Sequence, residues 1–186
     1  SADMTRRFLN LFFHELRMQL VSPATFVSAA LFLALMGLIH WLAISQASVD
    51  SGDWLPSENI FRLHWVPALA FIPLLTMGAF AEERRTDTLE LLLTAPVREV
   101  WIVLAKFLSS LGLVVGVFAT STTYAVVLGM YEETDWGPIY SGYLGLVLLA
   151  CLLVSIGLLM SSLTENQVVA AAASLVAGVR VLAVPA

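Results

Sequence analysis

The sequence predicts an all-α polytopic membrane protein: an amino-terminal interfacial helix followed by about five transmembrane helices. Composition is the first observation behind this. Of 186 residues, 59% are hydrophobic and 12% charged, and mean hydropathy is +0.88. A soluble domain carries about 25% charged residues. A globule this small leaves too much surface outside to hide so much apolar area. The second observation is a series of apolar runs near the ~20 residues that cross a bilayer core as a helix. The third is a one-sided distribution of Lys and Arg between the runs. Together they exclude a soluble globular enzyme and a disordered chain. The formal charge of −5 argues against a phosphate-binding surface, so no nucleic-acid partner is expected. The single cysteine, Cys151, lies inside an apolar run and forms no disulfide within the chain.

Five spans are expected, at about 23–44, 60–81, 97–128, 139–163 and 168–186. The amino-terminal residues 1–22 form a connecting segment and 23–186 the transmembrane domain. The second span contains Pro67 and Pro73, which remove backbone donors and predict a kink. The fifth is rich in alanine and interrupted by Arg180.

Orientation follows from Lys and Arg. Arg6, Arg7 and Arg17 precede the first span; Arg84, Arg85, Arg98 and Lys106 cluster around the start of the third. The loops on the opposite side, Ser45–Asn59 and Gly129–Pro138, contain neither Lys nor Arg, and hold Asp50, Asp53, Glu58, Glu132, Glu133 and Asp135. The amino terminus is therefore expected in the cytoplasm, with the chain in a bacterial inner membrane. Trp41, Trp54, Trp65, Trp136 and Tyr140 then fall near the outer boundary and Trp101 near the inner one, as an aromatic belt does.

Between Thr5 and Leu20 the chain reads as an amphipathic helix, not a signal peptide, because charge is spread through the stretch. At helical spacing Phe8, Leu9, Phe12, Phe13, Leu16 and Leu20 share one side; Arg6, Arg7, Asn10, His14 and Arg17 share the other. Such a helix lies in the headgroup layer, cationic side toward anionic lipid. The alternative is a helix packed on another protein, and one helix can do both.

The stretch between spans two and three reads Glu82-Glu83-Arg84-Arg85-Thr86-Asp87-Thr88-Leu89-Glu90-Leu91-Leu92-Leu93-Thr94-Ala95-Pro96-Val97. Asp87 followed by Glu90 resembles a capping box. Leu89, Leu92 and Leu93 make an apolar stripe, and Pro96 ends the helix. A short amphipathic helix tied at both ends to spanning helices can act as a lever. A solvated loop with a lipid-facing leucine stripe is the alternative on these residues alone.

The run EERRTDTLELLLTAPV, followed by REVWIVLAKFL, resembles the permease subunits of bacterial ABC-2 type transporters, most closely the gliding-motility-associated group and its nitrous-oxide-reductase-maturation relatives. Asp87 stands where that pattern commonly has Gly. The resemblance in layout covers essentially the whole chain. It implies that the segment 82–97 is a coupling helix seated in a cleft of a separate ABC ATPase subunit, through Glu82, Glu83, Arg84, Arg85, Asp87, Thr88, Leu89, Glu90, Leu92, Leu93, Thr94 and Pro96. It implies that the amino-terminal helix touches the same ATPase and that the Ser161–Asn166 turn is a second, smaller contact. Two permeases, identical or homologous, and two ATPases would form an exporter. Family members have six spans; with five read here, the chain end is expected to be truncated or altered.

No catalytic, cofactor or metal site is expected on this chain. The only lysine is Lys106, between Ala105 and Phe107, so there is no P-loop to cradle phosphates; ATP-Mg would sit on the partner. His14-Glu15 begins a zincin motif that fails at Met18, and Ser141-Gly142 lacks the preceding glycine of an intramembrane serine protease, having Ile139 there. His40 and His64 read as rim residues of their spans. Glu82 and Glu83 are adjacent and point in different directions on a helix. In the third span, Gly112 and Gly116 form a G-x-x-x-G that permits close helix contact, within the chain or between two copies. Thr120, Ser121, Thr122, Thr123 and Tyr124 form a hydroxyl patch that either lines a pathway or, the favoured reading, bonds to its own helix backbone. A membrane anchor that docks a cytoplasmic partner without moving a substrate is the rival to the transport reading.

Overall fold

The computed structural model describes residues 2–47, 57–85, 99–129 and 136–183. All seven elements in these segments are helices: α1 (Ala2–Val21), α2 (Pro23–Ala47), α3 (Ser57–Thr76), α4 (Gly78–Arg85), α5 (Glu99–Gly129), α6 (Trp136–Leu163) and α7 (Gln167–Ala183). The chain is an all-α polytopic membrane protein.

Four segments are long and apolar enough to cross a membrane: Pro23–Leu42, His64–Ala81, Val100–Tyr124 and Ile139–Leu163. The fifth expected span is helical over the 17 residues of α7, about 26 Å at the usual helical rise and short of a ~30 Å hydrocarbon core. By contrast α5 has 31 residues and reaches about 46 Å, so it extends beyond the hydrocarbon.

One residue, Ser22, separates α1 from α2. Its carbonyl accepts from Thr25 N at 3.1 Å and Phe26 N at 3.4 Å, starting the new helix, and Pro23 occupies the first helical position, where its missing donor costs nothing. In the bundle, α3 packs chiefly between α6 and α2, α1 lies along α5, and α7 leans on α6 and α3. The His64–Ala81 segment is consequently the most buried of the four spans.

A phenylalanine cluster marks the centre. Phe32 of α2 meets Phe71 of α3 at 5.0 Å and Phe118 of α5 at 5.4 Å between ring centroids. Met36, Ile72, Val114, Leu153 and Val154 close the core around it. The outward faces carry exposed Leu31, Leu38, Val115, Leu148 and Leu152. So much unpartnered apolar surface is a liability in water and matches lipid tails as a solvent.

The second span differs in detail from expectation. Both Pro67 and Pro73 are accommodated inside α3, and the helix breaks later, at Met77. Met77 N still reaches Pro73 O at 2.9 Å, so the turn containing Pro73 remains closed. The break has another cause, a hydroxyl from α6 described below.

Candidate functional site

Two sets of polar contacts and one close approach tie the helices together at the end of the bundle where α1 packs. The first joins α1 to α5. Lys106 Nζ donates to Glu15 Oε1 at 3.0 Å, with the two side chains only 2% and 11% exposed. The ammonium also sits 5.1 Å from the centroid of the Phe80 ring of α4, a cation–π distance. One turn further, Gln19 Nε2 donates to Ser109 Oγ and Ser110 Oγ, each at 3.1 Å. Towards the start of α1, Phe8 meets Trp101 edge-on at 5.2 Å. Partners ascend together, 8 with 101, 15 with 106 and 19 with 109, so α1 runs parallel to α5 along its first turns.

The second set explains the break at Met77. In an unbroken helix Ala81 N would donate to Met77 O. Instead the Ser161 hydroxyl of α6 stands between them: it accepts from Ala81 N at 3.1 Å and from Phe80 N at 3.0 Å, and donates to Met77 O at 2.9 Å. A side chain inserted into the backbone ladder is a recognised cause of a sharp helix bend. One serine thus ends α3, caps α4 and binds both to α6.

The third is a close approach. Thr76 is fully buried, with Oγ1 donating to Ile72 O at 3.0 Å, and a Cβ at Gly157 would overlap that oxygen. Glycine at 157 is what lets α3 and α6 come together one turn before Ser161.

Of the segment 82–97, expected to be a coupling helix, residues 82–85 continue α4 as helical backbone; Asp87, Thr88, Leu89, Glu90, Leu92, Leu93, Thr94 and Pro96 lie outside the described residues. On α1, Arg6, Arg17, Asn10 and His14 are exposed. Phe8 and Phe12 are half-buried and Phe13 is exposed, with Phe12 and Phe13 edge-on at 5.4 Å. Glu15 and Gln19, which sequence reasoning placed on neither face, make the contacts to α5. Nothing in the local pattern marked them, since their partners lie about 90 residues away.

Gly112 and Gly116 are exposed, with nothing within 4 Å of a Cβ built on either. Thr120 Oγ1 donates to Gly116 O at 3.1 Å, Ser121 Oγ to Phe118 O at 2.7 Å and Thr122 Oγ1 to Phe118 O at 3.3 Å. These hydroxyls turn back onto their own helix. Thr123 is exposed.

At the opposite end, His40 and His64 stand at the ends of their spans and face inward. They are 5% and 1% exposed, with rings edge-on at 5.3 Å. Tyr124 stacks on His40 at 5.1 Å and donates to Leu33 O at 3.2 Å, while His40 Nδ1 lies 2.8 Å from Met36 O. Facing inward, His40 keeps the carbonyl of its own helix and gains the rings of His64 and Tyr124 from neighbouring helices. Among the described residues no group of three or more His, Cys, Asp or Glu is placed to hold a metal ion.

Residues 16–180 match the family model described as ABC-2 family transporter protein. The chain belongs to the ABC-2 transporter family. Comparisons with curated proteins and with solved structures return no match. As an ABC-2 protein it is a membrane-embedded permease component of an ABC transporter, a kind of subunit that works with an ABC ATPase. The matched span begins within α1, just after Glu15, and runs into α7, and so takes in Gln19, Lys106, Ser161, Thr76 and Gly157 of these contacts.

Proposed function

We propose that this chain is the permease subunit of an ATP-driven exporter, and that the segment 82–97 couples it to a separate ATPase subunit that carries ATP-Mg. Within the family we place it nearest the gliding-motility-associated and nitrous-oxide-reductase-maturation group, on the run EERRTDTLELLLTAPV. The observation that carries the coupling reading is the Ser161 insertion: α4, which leads into that segment, is hydrogen-bonded to α6 through two donors and one acceptor. A push on the segment is then delivered to two spans at once. The Glu15–Lys106 pair offers α1 a second route into α5. The cationic residues of α1 and of the 82–98 stretch support a cytoplasmic amino terminus in a bacterial inner membrane. Two copies, identical or homologous, surround the pathway.

The test is capture of the partner ABC ATPase. Glu90→Arg and Leu92→Asp are expected to abolish its co-purification while the permease still inserts in the membrane. Undiminished capture by both variants would overturn the coupling role. Substrate-stimulated ATP hydrolysis in the reconstituted complex separates an exporter from a membrane scaffold, which would show capture without stimulation.

A further inference from the structure

One hydroxyl, that of Ser161, partners three backbone groups of the α3–α4 joint: Phe80 N, Ala81 N and Met77 O. Each of the three has another partner to hand. In a continuous helix Phe80 N donates to Thr76 O and Ala81 N donates to Met77 O. The Ser161 hydroxyl then turns to a carbonyl of its own helix, as Ser155 does to Cys151 O and Ser162 to Leu159 O, each at 2.7 Å. No donor or acceptor of this set is left unpaired in either arrangement, so neither carries the penalty of an orphaned polar group. A continuous α3–α4 is therefore a second closed form of the joint, not a damaged version of the first.

The surroundings leave room for the exchange. A cavity of about 480 Å³ borders the joint at Leu74, Leu75, Met77, Gly78 and Ala79. The rest of its lining comes from α1, α2, α5 and the start of α7, and among the described residues none of α6 lines it. The open space thus lies on the side of the joint away from Ser161. Gly78 stands at the pivot, and a Cβ built there would meet Gln167 Nε2 at 3.9 Å, an ordinary contact. Phe80 holds the bent form from one side: the Lys106 ammonium is 5.1 Å from its ring centroid, and Lys106 is paired with Glu15 of α1.

We propose that the α3–α4 joint is a two-state switch. In one state it is bent, with Ser161 inserted and Phe80 against Lys106. In the other it is straight, with Ala81 N bonded to Met77 O, Ser161 turned back onto α6 and Phe80 withdrawn. The exchange alters the direction in which α4 leaves α3 and, through Phe80, whether α4 is tied to the α1–α5 pair. The Phe32–Phe71 core further along α3 takes no part in it. The switch belongs to this chain alone and stands whether or not the segment 82–97 meets an ATPase.

Spin labels at Arg85 and Leu163 of the full-length permease in nanodiscs, in a Cys151→Ser background, read the state as a distance. Ser161→Ala removes the inserted group and should leave only the longer, straight-state distance. Gly78 is the first residue of α4 in the bent state and lies inside the continuous helix in the straight one. Gly78→Ala should therefore raise the ratio of longer to shorter populations about five-fold over the wild type, the preference of a helix interior for alanine over glycine. Ala81→Pro should leave only the shorter distance, because in a continuous helix the proline ring collides with the carbonyl four residues before it, here that of Met77. Two resolved distances whose populations move in opposite directions in Gly78→Ala and Ala81→Pro establish the switch. A single distance common to the wild type, Gly78→Ala and Ser161→Ala would overturn it. So would one broad distribution in Gly78→Ala, which reports a frayed α4 in place of a second closed state.

Discussion

Ser161 donates its hydroxyl proton to the carbonyl of Met77 at 2.9 Å while accepting from the amide of Ala81, the two groups that would otherwise bond each other. The helix that leads into the 82–97 segment is therefore bent by a residue of a different span. Ser161→Ala leaves those groups to re-close as a straight helix or to remain unpaired, and a buried unpaired backbone group costs roughly 1–3 kcal/mol. The variant is expected to melt at lower temperature in detergent. Spin-label distances from Arg85 to Leu163 should also lengthen as α4 straightens. An unchanged distance together with an unchanged melt would refute the account of the bend.

The Lys106–Glu15 pair should behave as a unit. Breaking a buried pair from one side leaves an uncompensated charge, at a cost of about 3–5 kcal/mol. Lys106→Met or Glu15→Gln alone is expected to destabilise strongly. The double variant should cost far less than the sum, and a double-mutant cycle on thermal midpoints reads the difference. Strict additivity would mean that the two side chains do not interact.

Two kinds of glycine make opposite predictions. Gly157→Ala drives a methyl group into Thr76 Oγ1, and such overpacking typically costs about 1–3 kcal/mol. Gly112→Ala and Gly116→Ala meet nothing within 4 Å, so the folding of a single chain should be unaffected. If cross-linked dimer falls in either α5 variant, the second copy seats on that face. If it does not, lipid covers the face.

The aromatic end is tested at Gly37 and Tyr124. A Cβ at Gly37 would stand 3.2 Å from the Tyr124 hydroxyl, which bonds Leu33 O. Tyr124→Phe should cost about 1 kcal/mol, the net worth of one such bond. Gly37→Ala should destabilise the wild type more than it destabilises Tyr124→Phe, because the hydroxyl it crowds is gone. Equal costs in both backgrounds, measured by thermal unfolding, would place Tyr124 elsewhere.

Much of this architecture is legible in the amino-acid order. A run of apolar residues states its own length, and lipid demands that length, so Pro23 and Ile139 stand at the starts of spans as read from the sequence, while the third, read from Val97, opens at Val100 among the described residues. Ser22-Pro23 likewise announces a helix boundary by local chemistry. The contacts at the base are of another kind. Ser161 in an apolar helix is indistinguishable from Ser155, which merely bonds Cys151 O four residues back; only the packing of α6 on α3 and α4 gives Ser161 its different partners. His40 and His64 looked peripheral because their distance along the spans is visible in the sequence, whereas the direction each faces depends on the neighbouring helices. Glu15 was hidden for the same reason: a helical projection assigns charge to water unless the partner, here Lys106, is known to lie alongside.

The brevity of the joint at Ser22 has mechanical weight. A single residue between two helices stores no slack, so α1 cannot slide or roll without carrying the foot of α2 with it. Because α2 meets the rest of the bundle at Phe32 and again at His40, tilting at its foot is relayed past one fulcrum to the far membrane face, where Trp41 stands outward. Movement of α1 is thereby carried to that face by the first span itself.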